Sequence, residues 1–116
     1  MQITYLVVTV SVIVANAGMA VADFARAKFV LANSAEVHVP RPWLPWLATA
    51  KLAGAIGLLA GMLGARPVGI AAAAALVVFF VGAVVFHIRA RVYYNIVFPG
   101  AYLAGAVAAL GLIAVQ

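Results

Sequence analysis

The chain has 116 residues, 69% of them hydrophobic and 8% charged, with a formal net charge of +5 and a mean hydropathy of +1.24. A soluble domain is nearer half apolar and a quarter charged, so too few charges remain here to cover a water-exposed surface, and lipid must be the outer environment. The absence of cysteine excludes disulfides, thiolate metal sites and thiol redox chemistry carried by the chain itself. The seven Lys and Arg never form a run, which argues against a nucleic-acid partner and for a role in fixing topology.

In chain order, Met1-Gln2 leads straight into an apolar stretch over residues 3–23. With no basic region before it and a length of about 20 residues, it reads as a first transmembrane helix rather than a cleavable signal peptide. The helical spacing continues from Asp23 to Leu31, which predicts that this helix runs on past the membrane surface. A connection follows in which Glu36 lies in a loop and His38 beside it is solvated. Pro40, Pro42 and Pro45 introduce the second span, residues 43–63, and Trp43 and Trp46 suit the headgroup level. Gly64-Ala65-Arg66-Pro67 makes a tight turn into the third span, residues 67–87, and the fourth covers residues 94–115. Each span approaches the ~30 Å that about 20 helical residues cover, and an open sheet would leave backbone groups unsatisfied in lipid. The predicted fold is all-α and integral to the membrane: one domain over residues 1–116, a four-transmembrane-helix bundle.

Arg26, Lys28 and Arg41 lie between the first two spans and Arg89 and Arg91 between the last two, whereas only Arg66 lies on the opposite side. By the positive-inside bias both termini face outward across the cell membrane. Gly57 and Gly61 form a GxxxG step, which serves either a contact inside one bundle, the favoured reading, or a dimer interface. Ala71 to Ala75 reads as a close-packed face.

Ionisable residues at bilayer depth are costly and point to function. Thr9, Asn16 and Asp23 recur every seven residues and so share one helix face. Lys51 is about 12 Å inside the second span, too deep for a flanking residue, and its stem can bend towards Asp23. His87 ends the third span at the depth of Asp23, and Arg91 is placed one turn further on the same face. Together with Tyr94 and Asn95, these residues predict a polar pocket near the cytoplasmic end. Asn16, Asp23, Lys51, His87, Arg91, Tyr94 and Asn95 are its candidate ligand-binding residues. Asp23, His87 and Lys51 are its candidate catalytic ones. Plainer readings stay open: Asp23 as an interfacial residue paired with Arg26, and His87 as an interface residue. One histidine and one carboxylate in reach make neither a metal site nor a haem site.

The chain resembles the DoxX-like membrane proteins, specifically their short four-helix bacterial group. The resemblance is carried by Ala15-Asn16-Ala17 and Asp23-Phe-Ala-Arg26, then Val39-Pro40 with Trp43-Leu-Pro45. It continues through Lys51-Leu-Ala-Gly-Ala-Ile-Gly57, Phe80-Val-Gly82-Ala and His87-Ile-Arg-Ala-Arg91. The resemblance implies an accessory subunit of the bacterial inner membrane, linked to redox processes such as quinone-linked sulfur oxidation or oxidative-stress complexes. With no intrinsic cofactor, a redox role would rest on a bound quinone or a partner protein.

Three functions fit these features. The favoured one is a protein that holds a lipophilic small molecule, quinone or isoprenoid-like, or a partner subunit or second copy. The alternative is a membrane-embedded enzyme using Asp23 as general acid or base on a lipid-soluble substrate, by isomerisation, cyclisation or epoxide opening. A carrier using the Asp23–Lys51 pair is third, because the outer half of the chain has almost no polar residues.

Overall fold

The computed structural model describes residues 2–25 and 27–116. Its elements are α1 (Ile3–Phe24), α2 (Lys28–Glu36), a 3-10 turn (Arg41–Trp43), α3 (Leu44–Met62), α4 (Arg66–Arg89) and α5 (Val97–Ala114). Four helical stretches are long and apolar enough to cross a membrane: α1, the 3-10 turn continued by α3, α4 and α5. The long axis of the molecule, 40 Å, matches a hydrocarbon core with its headgroup margins.

β-branched residues fill α1, yet it is helical, because a spanning segment must satisfy its backbone internally. The same demand reaches side chains on the lipid side. Ser11 and Thr49 donate their hydroxyls to the carbonyls of Val7 and Pro45, four residues back, both at 2.7 Å. Pro45 and Pro67 occupy the first turns of α3 and α4, where a missing N–H costs nothing.

The spans pack as a closed ring: α1 on α3, α3 on α4, α4 on α5, and α5 back on α1. α1 buries Tyr5, Thr9, Val12, Asn16, Ala20 and Asp23, while Val7, Val14 and Val21 face outward at the same seven-residue interval. The core joins Val12, Leu58, Leu76 and Phe80 with Ala73, Ala106 and Ala109. Glycines set the α3–α4 contact. A Cβ on Gly61 would lie 2.6 Å from Gly69 Cα, one on Gly57 2.5 Å from Ala72 Cβ, and one on Gly54 2.5 Å from Leu76 Cδ2. The GxxxG step is therefore an internal contact of the bundle. Of the alanine run only Ala72 to Ala74 turn inward, since Ala71 and Ala75 are exposed.

Three boundaries differ from the sequence reading. α1 does not run on: it stops at Phe24, and Ala27 is extended at ψ 145°. The break turns α2 back over the bundle end, where Val30 and Val37 are buried. Glu36 accordingly closes α2 rather than lying in a loop, and His38 is exposed just beyond it. α5 begins at Val97, three residues later than the expected fourth span, because Tyr93 to Ile96 form a turn with an Ile96 N–H bond to the Tyr93 carbonyl at 3.3 Å.

The third difference concerns helix ends. α2, α3 and α4 each finish with an N–H bonded to the carbonyl five residues back: Val39 to Ser34, Ala65 to Ala60 and Val92 to His87. The residue between, His38, Gly64 or Arg91, is left-handed, at φ 62°, 119° and 57°. α4 thus ends before Arg91, which is exposed and does not continue the face of His87.

Candidate functional site

The last turn of α1 brings Asp23 against the second turn of α3. Lys51 Nζ donates to Asp23 Oδ2 at 2.6 Å, with 11% of the lysine side chain and 3% of the aspartate side chain exposed. Nζ also lies 5.6 Å from the centroid of the Phe79 ring, within cation–π range. Buried charges this far from water must be paired, and this is the only ion pair among the described residues. The competing pairing of Asp23 with Arg26 lies outside the described residues.

The pair forms one wall of a cavity of about 420 Å³. α2 covers it with Phe29, Val30, Asn33 and Ser34, joined by Val37 just past the helix end. α4 contributes Phe79, Phe80, Ala83 and His87, and α5 adds Phe98, Pro99 and Tyr102. Met19, Leu47 and Asn95 complete the lining. Its character is apolar with a few polar groups at fixed places, as in small-molecule sites. A smaller cavity of about 200 Å³ adjoins it.

Of the residues expected from sequence, Asp23, Lys51, His87 and Asn95 line the larger cavity. His87 is half-buried, and its Nδ1 lies 3.0 Å from the Ala83 carbonyl of its own helix. Asn95 is buried and donates from Nδ2 to Asn33 Oδ1 at 3.2 Å, which ties α2 to the α4–α5 connection. Its Oδ1 has no partner among the described residues.

The other three lie elsewhere. Asn16 is buried above the cavity and donates to the Val12 carbonyl at 2.9 Å, as mid-helix asparagines do when no neighbour reaches them. Its Oδ1 and the Thr9 hydroxyl are buried without partners among the described residues. Arg91 is turned away by its left-handed backbone. Tyr94 is exposed and donates its hydroxyl to Glu36 Oε1 at 2.6 Å. That hydrogen bond raises the phenol above its usual value of 10.0, with smaller help from desolvation and the Glu36 charge. Tyr94 is therefore a second tie on α2 rather than a cavity residue.

Sequence reasoning missed α2 as a wall. Its signal was present: Val30, Asn33, Ser34 and Val37 follow the i, i+3, i+4, i+7 stripe of a helix with one packed face. Phe79 and Tyr102 gave no such signal, because aromatics inside a span look the same whether they face core, cavity or lipid. Among the described residues no group of three metal-ligating side chains gathers.

No curated protein and no solved structure matches the chain at a significant level. The model of the DoxX-like family matches residues 7–113, nearly the whole chain. That match takes in most or all of each of the four apolar helices and both members of the buried ion pair, and the chain is accordingly an integral membrane protein belonging to the DoxX-like family.

Proposed function

We propose that the protein holds the polar head of a lipophilic small molecule, quinone or isoprenoid-like, in the cavity beside Asp23 and Lys51, and serves redox chemistry as an accessory subunit. The observation that carries this reading is the buried Lys51–Asp23 pair facing a largely apolar cavity of about 420 Å³. The volume is that of small-ligand sites. A buried ion pair is seldom retained for stability alone, because an apolar pair of the same shape often serves as well. Here the lysine offers spare N–H donors to a carbonyl or hydroxyl oxygen, and Asn95 Oδ1 offers a buried acceptor. The family membership supports a redox setting, with a quinone bound non-covalently or supplied through a partner subunit. The basic residues, concentrated in the two connections at the cavity end, support a cell-membrane orientation with that end in the cytoplasm and both termini outside.

The test is ligand-dependent stabilisation of purified protein in detergent. Decylubiquinone and farnesol are titrated against thermal unfolding. At least one raises the melting temperature of the wild type, since a ligand that binds only the folded state must stabilise it. The shift is lost in the Lys51→Met, Asp23→Asn double variant. A shift that survives in that variant contradicts the reading.

A further inference from the structure

We propose that the smaller cavity is the tail passage of this site. A single-tailed amphiphile seats its head beside Asp23 and Lys51 and runs its hydrocarbon tail past Phe79, out between α3 and α4 next to Trp43. The inference rests on the reading that the larger cavity holds a lipophilic ligand's head.

Three observations carry it. The first is the shape of the α3–α4 pair. From Gly61–Gly69 through Gly57–Ala72 to Gly54–Leu76 the helices touch so closely that a Cβ on any of these three α3 glycines would come within 2.6 Å of its neighbour. Further along, towards the start of α3 and the end of α4, a cavity lies between side chains of the two helices. This is the cavity of about 200 Å³, which opens between Leu47, Phe79, Gly82 and Phe86. Trp43 and Phe86 meet at its rim with ring centroids 6.2 Å apart, and Trp43 remains half exposed. An aromatic ring of this kind belongs at the interface of lipid and water.

The second is continuity and chemistry. Val37, Leu47, Phe79, Ala83 and His87 line both cavities, so one wall separates and joins them. The smaller space is below the range of an independent ligand site. Its lining is aliphatic and aromatic, with the Trp43 indole and the His87 imidazole the only polar side-chain groups. A bound water needs two to four hydrogen-bonding partners, and these two groups supply at most the minimum, with His87 Nδ1 already 3.0 Å from the Ala83 carbonyl. Hydrocarbon suits it, and a narrow passage admits one chain rather than two.

The third is Gly82. A Cβ built there meets nothing within 4 Å, although the residue is half-buried and lines the smaller cavity. Unlike Gly54, Gly57 and Gly61, it is not needed for close helix approach. The missing side chain leaves the passage open.

The test pairs each tailed probe with its tail-less head: decylubiquinone with 2,3-dimethoxy-5-methyl-1,4-benzoquinone, and farnesol with prenol. Affinities are read from thermal shifts of the wild type, Gly82→Leu and Gly18→Leu. Gly18 is exposed on α1, also with nothing within 4 Å of a Cβ, and controls for an added leucine that does not enter the passage. Gly82→Leu is expected to weaken the tailed probe by about tenfold or more, because a blocked tail holds the head off the Lys51 ammonium and forfeits a charge-assisted hydrogen bond. The tail-less head is expected to bind Gly82→Leu as it binds the wild type, and Gly18→Leu to change neither. A tailed probe that binds Gly82→Leu unchanged overturns the passage and leaves the head site standing. Equal loss of both probes also overturns it, since Gly82 then acts through the fold. If neither member of either pair stabilises the wild type, the reading of the site itself fails and takes the passage with it.

Discussion

Neutralising Asp23 alone strands the Lys51 ammonium inside the bundle. The lysine side chain is 11% exposed and its nearest anion is the Asp23 carboxylate, 2.6 Å away. Removing one partner of a buried pair costs about 3–5 kcal/mol, chiefly for the uncompensated charge left behind. The contact of Nζ with the Phe79 ring, 5.6 Å away, is kept in the Asp23→Asn protein and lost in Lys51→Met, and a desolvated cation–π contact is worth up to about 2 kcal/mol. Lys51→Met also leaves the carboxylate unpaired, so it is expected to be the more damaging single change. With both replaced no charge remains, and the double variant is expected to lose less than the sum of the singles, with a coupling of about 2–3 kcal/mol. The assay is a double-mutant cycle on unfolding in detergent. Additive losses would refute the reasoning, because they would mean that the two side chains do not meet in the folded protein.

Gly61→Ala is expected to destabilise by about 1–3 kcal/mol, the usual cost of overpacking, because the new Cβ would lie 2.6 Å from Gly69 Cα; Gly18→Ala, in open space inside α1, is expected to lose nothing and to gain up to about 1 kcal/mol in the same melts. His38→Gly is expected to stabilise by up to about 1 kcal/mol by relieving the left-handed backbone at φ 62°, provided the closing bond of Val39 to the Ser34 carbonyl is kept. The Tyr94 phenol, raised by its hydrogen bond to Glu36, favours the folded state while protonated, so its contribution is full below the unfolded value near 10.0 and is lost as pH rises through the raised one. The stability gap between wild type and Tyr94→Phe is therefore expected at neutral pH and to close at strongly alkaline pH.

What was legible in the sequence followed from lipid as the solvent. Four apolar stretches had to be helices, and prolines and Gly64 marked where they begin and end. Asp23 and Lys51 were legible for the same reason, since a deep lysine needs an anion and only one carboxylate was in reach. The break after Phe24 was not legible, because Ala25 and Ala27 carry no breaking signal and the turn is driven by burial of Val30 and Val37 against other helices. Arg91 was misplaced on its helical register because left-handed backbone is rare outside glycine. Tyr94 and Asn95 are adjacent in sequence, yet one ties down α2 from outside while the other lines the cavity. A turn sets that difference, not a periodicity. Asn16 shares the face of Asp23, but bundle packing closes over it before the cavity begins.

The claim that the cavity beside Asp23 and Lys51 holds a lipophilic molecule is tested most directly by native mass spectrometry of protein released gently from membranes. The wild type is expected to carry a non-covalent adduct whose mass, on extraction, is that of a single-tailed lipophilic molecule. The Asp23→Asn, Lys51→Met double variant keeps the apolar walls of the cavity but lacks the charges that seat the head, and is expected to lose that adduct. An identical adduct pattern in the two proteins, or a wild type with no adduct beyond ordinary bilayer lipids, would contradict the claim.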